Sequence, residues 1–231
     1  MSIIVFILFA VSTTISTIKT IKILSDFMDK YTGTTTLGII CDTGIILATE
    51  RRATMGHFIA SQDAKKVYQI EDKIGLTLAG SVGDAQKLIK WLKLEAATYK
   101  YQHGQTITIK GISNVLANIL NNTKSFEVSM VLGGLDKNGF KLYSLDAYGG
   151  LIDEDYFVST GSGSPMAYGI LEDGYKPGIT LNAGLKLAVR ALQTAMKRDA
   201  ASGGKVNAVQ ITKDGYEVIN ESIINKIMEK L

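Results

Sequence analysis

The stretch Tyr31-Thr32-Gly33-Thr34-Thr35-Thr36-Leu37-Gly38, YTGTTTLG, sets three consecutive threonines directly after a glycine, more than thirty residues into a chain of 231. Threonine favours strands, so one reading is the start of a β-strand. That reading leaves Gly33 and the dissimilar leader before it unexplained. A second reading is chemical: threonine can act as a nucleophile when its own α-amino group serves as the base. A neutral α-amine titrates at about 7.7–8.0, so a slight depression poises it near neutral pH. Such an amine exists only if the chain starts at Thr34. Cleavage between Gly33 and Thr34 would create it, and glycine puts no side chain in the way of attack on its carbonyl. Residues 1–33 are then a removable leader and residues 34–231 a single domain.

Outward from this point the chain alternates between strand and helix signals. Thr34–Cys41 and Ile45–Arg52 read as strands joined by the turn Asp42-Thr43-Gly44, and Val67–Ile70 and Ile74–Ala79 as a second pair. Val82, Ala85, Ile89, Leu92, Ala96 and Tyr99 recur at helical spacing, with Ser81 and Asp84 forming a capping-box start. Ile112–Leu120 reads as a second helix. Phe126–Leu132 and Phe140–Leu145 follow as strands, then a short strand at Tyr156–Thr160. Helices near Pro165–Leu171 and Leu181–Arg198 come next, and the chain closes with a hairpin, Val206–Thr212 and Tyr216–Ile219, and a helix Glu221–Lys230. Hairpins, two helices, more hairpins and two more helices suit an α+β architecture of antiparallel sheets covered by helix pairs, not a doubly wound parallel sheet.

Composition removes several classes of function. The net charge is +3, of which residues 1–33 carry +1 (three Lys, two Asp) and the remainder +2, so no basic face for nucleic acid is present. The single cysteine, Cys41, excludes an intrachain disulfide and fits a reducing, cytoplasmic compartment. With only His57 and His103 beside it, no metal-ligand spacing arises, and no cofactor is called for. The apolar run Ile3–Val11 suits the core of a secretory signal, but no positive charge precedes it, and it is too short to span a membrane. Gly161-Ser162-Gly163-Ser164 lacks the order of a nucleophile elbow, and Met166 stands where a dinucleotide fingerprint needs a third glycine. Asp153-Glu154-Asp155 reads as a solvated loop and Cys41 as a small buried hydrophobe.

The charges near the threonine fit the chemical reading. On a strand, Glu50 and Arg52 would share a face, and Lys65-Lys66 enters the next strand. A lysine beside an α-amine and a hydroxyl favours their deprotonated forms, and Glu50 would hold it there. An ordinary surface cluster of Glu, Arg and Lys gives the same spacing.

The stretches GTTTLGI, ATERRATMG, AKKVYQI, LAGSVGDAQ, STGSGSPMAYGILE and RDAASGG, in this order, resemble the proteasome β subunits, most closely the archaeal type, from Thr34 onward. The resemblance implies an N-terminal-nucleophile hydrolase fold, a four-layer αββα sandwich of two antiparallel sheets. It implies a threonine endopeptidase acting on unfolded polypeptides, needing no metal or organic cofactor. The implied partners are other β subunits in seven-membered rings, proteasome α subunits and an ATP-dependent regulatory particle reached through the α ring. Carried over by position, Thr34 matches the nucleophile and Lys66 the lysine beside it. Glu50 matches the acidic position and Arg52 a supporting one. Ser162, Asp199 and Ser202 match the trio that orders the amine and its water, and the Gly80 N–H the oxyanion donor. Leu78 matches the base of the pocket for the residue before the scissile bond, with Ala53, Ala64 and Val82 along its walls and no carboxylate in the lining.

Two alternatives stay open on sequence alone. One is a weakly active or inactive ring-building β subunit that serves assembly with a second β subunit. The other is a secreted or membrane-anchored binding protein, resting on Ile3–Val11.

Overall fold

A computed structural model describes residues 33–123 and 126–231; the leader reading of residues 1–32 lies outside them. Within these residues the chain runs β1 (Thr36–Ile40), β2 (Gly44–Glu50), β3 (Ala53–Met55), β4 (Phe58–Ser61), β5 (Val67–Glu71), β6 (Ile74–Gly80), α1 (Val82–His103) and α2 (Ile109–Thr123). It continues through β7 (Val128–Asp136), β8 (Gly139–Leu145), β9 (Leu151–Glu154), β10 (Phe157–Thr160), α3 (Ser164–Gly174), α4 (Leu181–Arg198), β11 (Val206–Thr212), β12 (Gly215–Val218) and α5 (Glu221–Met228).

Two five-stranded antiparallel sheets result, ordered β10-β1-β2-β11-β12 and β5-β6-β7-β8-β9. The period-2 alternation of strand side chains divides the core into three. On β2, Ile46 and Ala48 pack with α3 and α4 through Ala167, Leu171, Leu185, Ala188 and Leu192. Ile45 and Leu47 point the other way, against Val131 and Leu142 of the second sheet. Leu76, Leu78, Met130 and Leu132 of that sheet face α1 and α2 through Leu88, Leu92, Ile112 and Leu116. Helices, sheet, sheet, helices: the α+β four-layer sandwich is the observed fold. Both faces of the central strands are buried, which is why they read as near-continuous apolar runs. Burial of each Leu or Ile contributes about 1.5–3 kcal/mol. No helix among the described residues is long and apolar enough to cross a membrane.

Three local readings of the sequence need correction, and one pair of strands went unread. The capping box at α1 is only half formed: Ser81 Oγ accepts from the Asp84 N–H at 3.4 Å, but the Asp84 carboxylate accepts from the Glu127 N–H instead of turning back to Ser81. Asp153 and Glu154 are not in a solvated loop. They lie in β9, where Tyr143 Oη donates to Asp153 and Ser144 Oγ to Glu154, so cross-strand hydroxyls make an acidic strand tolerable. The hairpin β3–β4 carries no clean alternation and was not legible as strands. Lastly, β2 ends at Glu50, so Arg52 does not share a strand face with it.

Candidate active site

Register brings several strand ends to one edge. Thr36 stands opposite both Thr49 and Thr160, so the start of β1 meets the ends of β2 and β10. Lys66 precedes β5, and Gly80 ends β6. At Gly80 the backbone turns into α1 with φ +114°, and a Cβ there would overlap the Glu127 carbonyl, so only glycine fits.

Thr34 lies at this edge and is 4% exposed. In the uncut chain its hydroxyl donates to the Gly33 carbonyl oxygen at 2.7 Å and accepts from Lys66 Nζ at 2.9 Å. Its backbone N–H donates to Ser162 Oγ at 3.2 Å. Ser162 in turn donates to Asp199 Oδ2 at 2.5 Å, and Ser202 donates to the same oxygen at 2.6 Å. The Ala201 N–H donates to Asp199 Oδ1 at 3.2 Å. Asp199 is the residue that caps the end of α4, its N–H bonded to the Ala195 carbonyl. An anion there is disfavoured by the helix dipole, and the three donors compensate it.

Glu50 is fully buried. Its Oε1 accepts from Lys66 Nζ and from the Thr35 N–H, and its Oε2 from the N–H groups of Arg52 (2.7 Å) and Gly203 (2.9 Å). Lys66 Nζ also donates to the Arg52 carbonyl. The Lys66 ammonium therefore has three acceptors, Thr34 Oγ1 among them. Burial holds it below the ordinary lysine value of 10.5, while Glu50 pulls the other way. Arg52 supports the site through its backbone, and its guanidinium donates to the Ala200 carbonyl at 2.9 Å.

A cavity of about 360 Å³ opens beside Thr34, lined by Ala53, Leu78, Gly80 and Val82 together with Lys65, Lys66 and Glu127. Ala64 is not part of this lining; its N–H is bonded to the Arg51 carbonyl. Glu127, from the segment leading into β7, also borders the cavity, where its backbone carbonyl accepts from the Ser81 N–H. Cys41 lies one residue past β1, buried among the residues under α4, and burial pushes its thiol up to about 12.

Residues 30–211 match the family model described as Proteasome subunit. The chain belongs to the proteasome subunit family. Within it, the resemblance is to archaeal β subunits. It is 55% identical over 201 residues to the proteasome subunit beta of Methanohalophilus mahii, covering 86% of this chain and 96% of that protein. It is 53% identical over 206 residues to that of Methanothrix thermoacetophila, covering 88% and 100%. For Archaeoglobus profundus the identity is 49% over 211 residues.

Thr34, Glu50, Lys66, Ser162, Asp199 and Ser202 of this β subunit thus form one connected set. Two further members were not singled out from the sequence. Thr35 bridges the halves of the site, its N–H on Glu50 and its hydroxyl 2.7 Å from Ser202 Oγ. Gly203 presents its N–H to Glu50. Both lie inside quoted motifs, but their part depends on backbone direction, which residue type does not encode.

Proposed function

We propose that this chain is a catalytic β subunit of the proteasome core, a threonine endopeptidase that activates itself by cleavage between Gly33 and Thr34. The observation that carries the reading is Thr34 itself: its hydroxyl contacts Lys66 Nζ on one side and the preceding carbonyl group on the other. Attack of Oγ1 on the Gly33 carbonyl carbon forms an ester and breaks the Gly33–Thr34 peptide bond, leaving a free α-amine at Thr34. Water then hydrolyses the ester and releases residues 1–33. In the freed chain the amine, beside Ser162, takes the hydroxyl proton as Oγ1 attacks a substrate carbonyl, directly or through a water. The Lys66 ammonium keeps that amine unprotonated near neutral pH, since a neighbouring positive charge disfavours a second one. The backbone N–H of Gly80 receives the developing oxyanion, a contribution of about 10²–10³ in rate for one donor. The acyl-enzyme is then hydrolysed and Thr34 restored.

The same reading places the subunit in the cytoplasm, in seven-membered β rings capped by α subunits, where an ATP-dependent particle feeds unfolded polypeptides to the site.

Intact mass of assembled particles tests this. The chain should begin at Thr34, and Thr34→Ala should retain the leader and abolish peptide hydrolysis. A processed, active Thr34→Ala particle with no other active subunit present would overturn it.

A further inference from the structure

Thr36 carries a buried hydroxyl that the proposed reaction does not use. Its Oγ1 lies 2.9 Å from Thr77 Oγ1 and 2.9 Å from Thr160 Oγ1, and its carbonyl accepts from Ser159 Oγ at 2.8 Å. Thr36 and Thr77 are completely buried. The three strands joined here each continue into the site: Thr34 lies two residues before Thr36, Ser162 two residues after Thr160, and Gly80 three residues after Thr77. The Thr36–Thr160 link is cross-strand within one sheet, whereas the Thr36–Thr77 link crosses from one sheet to the other.

Aliphatic side chains fill the rest of the space between the sheets, among them Ile45, Leu47, Val131, Leu142 and Val158. Apolar burial is non-directional and does not by itself fix the offset of one sheet against the other. A hydroxyl pair does, because O–H···O bonds have a narrow preferred length. A threonine hydroxyl carries one proton and two lone pairs, so Thr36 can donate to one neighbour while accepting from the other. Only a hydroxyl at the centre serves both links. Thr49 makes an informative contrast: it stands opposite Thr36 on β2, in the same cross-strand row, yet its buried hydroxyl has no partner among the described residues. The hydroxyl links run to the strands that lead to Ser162 and Gly80, and bypass Thr49.

We infer that Thr36 is a positioning residue whose hydroxyl, through Thr77 and Thr160, sets the distance from Thr34 Oγ1 to the groups on β6 and after β10 that act with it. This rests on the threonine-peptidase reading above. A misplacement of about 1 Å costs up to about 10²-fold in rate, so loss of the hub acts on turnover more than on binding.

The test measures hydrolysis by assembled particles of the full-length chain, per Thr34 titrated with a hydroxyl-directed covalent inhibitor. Thr36→Val, which keeps the branched shape, should lower kcat by about 10–100-fold with KM within about threefold. The acid limb of the pH profile should stay in place, because no ionising group has changed. Thr36→Ser should recover kcat to within about threefold, and Thr49→Val should leave it unchanged. A Thr36→Val particle with wild-type kcat would overturn the inference, as would Thr36→Ser being as impaired as Thr36→Val, which would assign the effect to packing. If Thr36→Val does not assemble, Thr77→Val and Thr160→Val each cut one link, and the same kcat loss is required of both. Failure of the underlying reading looks different: the unaltered particle would then show no hydrolysis that depends on Thr34.

Discussion

Gly33 packs against Ala201 so closely that a Cβ built on the glycine would overlap the alanine Cβ and stand 2.5 Å from Ser162 Oγ. Ala201 is held by its N–H to Asp199 Oδ1 and is buried, so it has little room to give. Gly33→Ala should therefore push the carbonyl away from Thr34 Oγ1 and slow self-cleavage by at least about tenfold, since near-attack geometry is the main resource of an intramolecular reaction. The fraction of chains beginning at Thr34, followed by intact mass over time, measures this. Adding Ala201→Gly, which removes the obstructing methyl, should restore part of the rate. Normal processing of the single variant would remove the steric argument.

Lys66 binds Thr34 Oγ1, Glu50 and the Arg52 carbonyl at once. Lys66→Met keeps the length of the stem and removes the charge, so the Thr34 amine becomes more protonated at neutral pH and turnover should fall by at least about 10²-fold. Peptide hydrolysis by a pre-trimmed chain isolates this from processing. The pH dependence has a definite sign. Burial lowers the Lys66 value below 10.5, so its proton leaves earlier than from a free lysine, and activity that needs the ammonium should fall on the alkaline side before pH 10.5 is reached. An alkaline limb unmoved from the free-lysine range would take Lys66 out of that step.

Asp199 accepts from Ser162, Ser202 and the Ala201 N–H. An asparagine has one acceptor oxygen, and its NH₂ group can only donate. With its oxygen toward the two serines, Asp199→Asn sets its NH₂ against the Ala201 N–H; flipped to accept from Ala201, it presents the NH₂ to both serines and forces their hydroxyls to turn. If Ser162 turns, its proton points at the Thr34 nitrogen it should accept from, and turnover should drop about 10–100-fold. Kinetics of Asp199→Asn beside Ser202→Ala separate the two serines. Wild-type turnover in Asp199→Asn would show that the carboxylate does not orient the amine.

The fold was largely legible because the signals were local and mutually consistent: near-continuous apolar runs in β1 and β2, turn residues at Asp42-Thr43-Gly44, and helical spacing in α1. What escaped had a physical reason. The acidic strand β9 is stabilised by hydroxyls of β8, two residues that nothing in its own sequence announces. The residue types of the site were readable, but the contribution of Arg52, Thr35 and Gly203 comes from their backbone groups around Glu50. Ala64, which the resemblance puts on the pocket wall, does not border the cavity beside Thr34, whereas Ala53, Leu78 and Val82 do.

Cys41 should be chemically silent while the chain is folded. With its thiol pushed up to about 12, only about 10⁻⁴ of it is thiolate at pH 8, and the side chain is buried. Iodoacetamide labelling read by mass should therefore proceed only after denaturation. Rapid labelling of the native particle would mean that the packing of Cys41 under α4 opens readily.

Cleavage preference follows from the cavity beside Thr34. Leu78, Ala53 and Val82 supply apolar surface, and the alanine leaves room for a large side chain. Large apolar residues such as Tyr, Phe or Leu before the scissile bond should be cut fastest. Discrimination by apolar contact is graded, about 10–200-fold per methylene-scale difference, so slower substrates should still be cut. Charged residues should rank below the apolar ones, because burying an unpaired charge against this surface is costly. Reporters differing only at that residue give the order. An acidic reporter cut fastest, in particles where this is the one active β subunit, would mean that this cavity does not receive the residue before the scissile bond.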